Sequence, residues 1–145
     1  MTAPAVTPHF RNPQGYHLLM VVGSSELFIF CLDMLYPLTW VDAAGEWQPD
    51  RRYMTDRGSI PGIVTSFPGY ERNRLAYLMH DSAYNDDGSG HGLWWRAGET
   101  GCNTFRALTR PDADELMRRM LIAEGVPAST ARVIWAAVRV FGRRW

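Results

Sequence analysis

From Tyr16 to about Met54 the apolar positions come in short runs, YHLLMVV, LFIF and LTWV, rich in β-branched and aromatic residues. GSS, YP and DAAGE separate them, and these are turn compositions. TWVDAAGEWQ, with Trp40 and Trp47 on either side of the turn, predicts a hairpin. This half is expected to form a small antiparallel sheet.

The second half changes period. Glu71 to Tyr84 contains no Gly or Pro, and Leu75, Leu78, Met79 and Ser82 fall along one side of a helix. Ala76, Tyr77, His80, Ala83 and Tyr84 fall on another. A helix that is apolar or aromatic on two sides is mostly buried, so this one is expected to be central. The Gly-rich stretch DDGSGHGLWWRAGETGCN then reads as a long connector, of a length usually kept for function.

Thr109 with Asp112 three positions on, and Pro111 between them, marks a helix start. Its apolar stripe is Ala113, Leu116, Met117, Met120 and Leu121, and EGVPAS ends it. A last helix is predicted from about Ser129 to Phe141, with Val133, Ile134, Ala137, Val138 and Phe141 facing inward. No internal repeat or low-complexity tract appears. The fold expected is α+β: an extended arm over residues 1–15, then one domain over 16–145 in which an N-terminal antiparallel sheet packs on about three helices.

Composition narrows the partners. The chain has 145 residues and a formal net charge of zero, so no global basic field points to nucleic acid. All fifteen basic residues are arginine, which is read mainly as coding bias. Cys31 and Cys102 form no disulfide framework and no metal knuckle, and are expected as buried thiols. MTAPAVTPHFRNPQG lacks the basic and apolar regions of a signal peptide. LFIFCLDMLYPL is broken by Asp33 and Pro37 and is too short to span a bilayer. Synthesis in a host cytoplasm is expected, with peripheral membrane contact or incorporation into a virion left open.

Candidate chemistry centres on HDSAY, residues 80–84. His80 and Tyr84 lie one helical turn apart on one face, and Asp81 points about 100° away. Such a histidine can act as a base while the carboxylate holds a cation; equally, it can be a satisfied core residue. Asp114 borders the apolar stripe of its helix, and a carboxylate there must find a partner or pay for desolvation. That partner is either His80, whose tautomer Asp114 would fix as in a catalytic dyad, or an arginine such as Arg110 or Arg118.

TDRGSIPG, residues 55–62, offers Asp56 and Ser59 with backbone carbonyls or amides, for a cation or an oxyanion or merely as a turn. In the connector, Asp86, Asp87 and Ser89 with Gly88 and Gly90 supply oxygen ligands without calcium-loop spacing. His91 could join His80 and carboxylates around zinc. Trp94 and Trp95 either seat in a partner or a lipid interface, or cap the core. The C-terminal GRRW reads as a solvated helix end with some docking potential.

The order MTDRGSIPG, HDSAY, RPDADELM and GVPASTARVIWAAVRVFG resembles a family of phage and prophage proteins catalogued as a domain of unknown function, number 1353 in its series. The resemblance covers roughly residues 36–142; Arg57-Gly58 stands where that family usually has a hydrophobic residue and alanine. The HDxxY helix is also similar to the catalytic helix of phospholipase A2. That likeness implies His80 as the base activating water, Asp81 as a calcium ligand, and Tyr84 with Asp114 holding the imidazole. Gly58 and Gly62 lie about as far upstream as a calcium loop would, although its consecutive glycines and the secreted enzymes' disulfides are absent.

Two functions therefore stand side by side. The first is a phage-type hydrolase of a cell-envelope ester or amide, with His80, Asp114 and Tyr84 catalytic and Asp81 and Asp56 on the metal side. Calcium is the expected ion and zinc the lesser alternative. The second is a non-catalytic virion or assembly component, in which the same residues form a buried polar network and the arm, Trp pair and tail contact other virion proteins.

Overall fold

A computed structural model describes residues 5–57, 71, 74–84 and 92–141. The strands are β1 (His9–Arg11), β2 (Tyr16–Met20), β3 (Phe28–Leu32), β4 (Thr39–Asp42), β5 (Gly45–Gln48), β6 (Arg52–Thr55), β7 (Gly92–Arg96) and β8 (Thr104–Ala107). The helices are α1 (Leu75–Ala83), α2 (Arg110–Ala123) and α3 (Ala128–Phe141). The strands form two antiparallel sheets, ordered β1-β4-β5-β7-β8 and β2-β3-β6. The fold is α+β, as the change of period indicates, with the helices mostly C-terminal.

In the predicted hairpin Trp40 lies directly opposite Trp47. Phe10 and Trp95 extend that row across β1 and β7. The row is anchored by Asp42, whose carboxylate accepts both the Trp40 and Trp47 indole N–H groups at 3.0 and 3.4 Å. Gly45 closes the turn at φ 134°, a left-handed region that side chains avoid, and a Cβ there would stand 2.5 Å from the Trp95 indole nitrogen. In the smaller sheet Tyr16, Phe30 and Tyr53 stack in succession and face the core.

Helix α1 is buried on two sides, as its pattern requires. Tyr53 donates to the Leu78 carbonyl at 2.6 Å, and Ser82 Oγ accepts the Asp50 amide at 2.7 Å. The N-terminus of α1 is capped from a distance. Glu124, at the C-terminal end of α2, accepts the Leu75 and Ala76 amides at 2.9 and 3.0 Å. A carboxylate at a helix N-terminus satisfies orphan donors and meets the positive end of the dipole. The first turn of α1 therefore lies beside the last turn of α2, and the two helices run antiparallel.

Helix α2 starts where Thr109 Oγ1 accepts the Asp112 amide, and its whole predicted stripe is buried. Several expectations need correction. Helix α1 begins at Leu75 rather than near Glu71, where the capping carboxylate meets it. On α3 the predicted Ile134 and Val138 are buried with Ala131, and Ala137 packs against the core, while Val133 is 38% and Phe141 64% exposed. Cys102 is exposed and Cys31 half-buried, both as free thiols. The connector contains one strand of the larger sheet, since Gly92–Arg96 is β7 and pairs with both β5 and β8. Within the arm, His9–Arg11 adds a strand to the larger sheet. No described helix is long and apolar enough to cross a membrane.

Candidate functional site

The antiparallel pairing of α1 and α2 brings the end of one helix to the start of the other. His80 and Tyr84, one turn apart at the C-terminal end of α1, meet Asp114 early in α2. Nε2 of His80 is 2.8 Å from Oδ1 of Asp114, and the Tyr84 hydroxyl donates to the same oxygen. The imidazole and phenol rings lie 4.3 Å apart. On the other side of the carboxylate, Arg139 of α3 donates from Nη1 to Oδ2 at 3.2 Å, and Arg110 Nε approaches to 4.0 Å.

Asp114 thus takes both partners that its sequence left open, a histidine and an arginine; Arg118 pairs with Glu115 instead. The Asp114 side chain is fully buried. Burial pushes its carboxyl up, but hydrogen bonds from His80, Tyr84 and Arg139 outweigh that and hold it below the usual carboxylate range. It is an anion at neutral pH, compensated on every side. Arg139 was not singled out in the sequence, because nothing local links α3 to a residue 25 positions earlier. The weak signal available was a cation in the last turn of a helix whose second half is otherwise apolar.

The two nitrogens of His80 are in different situations. Nε2 is committed to Asp114, whereas Nδ1 makes no hydrogen bond to any described residue. The side chain keeps 12% of its exposure, so the ring is not sealed. With the Nε2 proton shared with a carboxylate, Nδ1 carries the free lone pair.

Asp81 points away from Asp114 and toward β6. Its Oδ2 accepts the hydroxyl of Thr55, itself buried, at 2.6 Å. Thr55 Oγ1 also receives the Arg57 amide at 2.9 Å, and Arg57 has φ 63°, a left-handed turn residue whose guanidinium rests 4.0 Å over Phe28. Asp56 is half-buried in this turn. The TDR turn is thus tied to the HD helix through Asp81.

A calcium ion is what the phospholipase likeness implies at Asp81. Among the described residues no three His, Cys, Asp or Glu side chains converge as metal ligands. One Asp81 oxygen is already held by Thr55. The described residues therefore do not by themselves make a cation cage. Gly58, Ser59 and Gly62, the acidic connector residues Asp86, Asp87 and Ser89 with Gly88 and Gly90, His91 as a zinc candidate, and the GRRW tail all lie outside the described residues.

Trp94 and Trp95 stand apart from this site, on β7. Trp94 Nε1 donates to the buried carboxylate of Asp50 at 2.8 Å, and Trp95 Nε1 to the Ala44 carbonyl at 2.9 Å. The Arg106 guanidinium lies 3.4 Å from the centre of the Trp95 ring.

Residues 33–138 match the family described as "Protein of unknown function (DUF1353)". No curated protein and no solved structure matches the chain.

Proposed function

The chain belongs to the DUF1353 family of proteins of unknown function, and we propose that it is a phage-type hydrolase that cleaves an ester or amide of the cell envelope. The observation that carries this reading is the division of labour at His80, with Nε2 held by a buried carboxylate and Nδ1 free on a partly exposed ring. In the reaction, Nδ1 takes a proton from water as the water oxygen attacks the substrate carbonyl. Asp114 stabilises the imidazolium that forms, while Tyr84 and Arg139 keep the carboxylate aimed at Nε2. The imidazolium then returns its proton to the leaving oxygen or nitrogen. Asp81 and Asp56 are the carboxylates on the side where a divalent cation would support the oxyanion.

The other reading, a non-catalytic virion component, is favoured by one observation. Asp114 is surrounded by four partners from three helices, which is what a packing anchor needs. Purified protein, incubated with mixed phospholipid vesicles and with peptidoglycan fragments, separates the two. Product is expected from one substrate, and the dependence on added calcium or zinc assigns the ion. His80→Gln keeps an amide nitrogen where Nε2 stands but has no base at Nδ1. Activity lost in a variant that still melts like wild type supports hydrolysis; a wild type inactive on both substrates supports the anchor.

A further inference from the structure

A second concavity lies away from His80. It is a cleft of about 1140 Å³ between the 32–37 and 48–52 segments, closed by Arg11, Trp94 and Arg96. Ser82 of α1 receives the amide of Asp50 from the wall of this cleft, whereas His80 turns toward Asp114. Two positions apart on a helix, these side chains point in nearly opposite directions, so the cleft and the histidine site occupy different sides of α1.

Its charges are unevenly satisfied. Arg11 and Arg96 both bind the buried carboxylate of Glu46, and Arg11 also reaches Glu99. Asp50 accepts the Trp94 indole. Arg51 and Arg52, which also line the cleft, are exposed and make no side-chain hydrogen bond or ion pair to any described residue. The anions of the cleft are thus already engaged, and the guanidinium groups of two consecutive arginines are left over. Beside them Met34, Leu35 and Tyr36 are 60%, 84% and 69% exposed. They are held out by a tight turn in which Asp33 Oδ1 accepts the Leu35 and Tyr36 amides at 2.8 and 2.9 Å. An ordered turn that presents three apolar side chains to water, next to two uncompensated cations, has an amphiphile's complement.

We propose that this cleft binds a phosphate ester carrying an apolar group. The guanidinium forks of Arg51 and Arg52 take the phosphate oxygens, and Met34, Leu35 and Tyr36 take the apolar part. The site is independent of the chemistry at His80 and does not rest on it. The same chemistry is offered by a membrane phospholipid or by a soluble organic phosphate.

Calorimetric titration of the full chain with dihexanoyl phosphatidic acid, kept below its micelle concentration, tests the proposal. Saturable binding is expected, weakened about tenfold or more in R51Q/R52Q. Inorganic phosphate should bind more weakly than the amphiphile in wild type, and Leu35→Ser should remove that advantage. Sedimentation with phosphatidylglycerol vesicles, but not phosphatidylcholine vesicles, identifies the lipid as the source. Binding of the soluble ester without vesicle binding identifies a free metabolite. Absence of saturable binding by wild type, or equal binding by an R51Q/R52Q protein whose melt matches wild type, overturns the proposal.

Discussion

His80 Nε2 and Asp114 Oδ1 stand 2.8 Å apart across the interface of two antiparallel helices, and Tyr84 shares the same oxygen. Removing either partner should cost differently. Asp114→Ala leaves His80, Tyr84 and two arginines facing a cavity without their anion and should destabilise by about 3 kcal/mol. His80→Gln retains a donor to Asp114 and should cost about 1 kcal/mol or less. Urea melts of both variants check the order; equal losses would mean that the histidine's ring packing, not its hydrogen bond, carries the contact.

The pH dependence has a definite sign. The Asp114 carboxyl is held below its ordinary 3.8, so its stabilising contribution is full above 3.8 and disappears as pH falls through the folded value. Glu46 behaves alike, because the Arg11 hydrogen bond, opposed by burial and aided by Arg96, holds it below 4.5. Glu124 runs the other way: burial raises it above 4.5 despite the α1 amides, so its contribution is present below 4.5 and lost as pH rises through the raised value. Stability below pH 3.8 should therefore fall less steeply in Asp114→Asn than in wild type. Parallel urea midpoints from pH 3 to 7 measure this, and identical slopes would show that Asp114 does not titrate with folding.

Glu124 should matter to the site although it lies at the far end of both helices. It accepts the first two amides of α1 and so fixes where the His80 helix begins. Glu124→Ala should cost about 1–2 kcal/mol, the usual loss of a helix N-cap. Hydrogen exchange should accelerate first at Leu75 and Ala76. Exchange that rises uniformly along α1 instead would show that the carboxylate acts on the whole helix rather than on its first turn.

Much of this was legible in the residues, and what was not has a common cause. The hairpin, the α2 stripe and the Thr109 start are local, set by spacing within a few residues, and the structure has all three. The facing of His80 and Asp114 was inferable because each is a polar group on a buried face, and such groups must find one another. The start of α1 was not, since its cap comes from Glu124, about fifty positions away. Arg139 escaped for the same reason. Gly and polar residues before Trp94 hid β7, because its pairing with β5 joins segments separated by the whole of α1. It has no β-branched residue, so beyond its two tryptophans the strand rests on pairing with β5 and β8.

The Trp pair gives the last prediction. Trp94 donates its indole N–H to Asp50, which is only 6% exposed, and its ring meets Phe105 edge-on at 5.7 Å. Trp95 ends the aromatic row and carries Arg106 on its face. Trp94→Phe keeps the ring contact but removes the indole N–H that Asp50 accepts, and should cost about 1–3 kcal/mol. Trp95→Phe keeps a ring in the row and loses one bond to the carbonyl of the exposed turn residue Ala44, and should cost about 1 kcal/mol. If the two indoles serve only a partner, neither change will move the urea midpoint of the isolated protein. A larger loss for Trp94 than for Trp95 would instead show that the pair belongs first to this domain's own sheet. Any docking role must then act through the ring faces that the sheet leaves open.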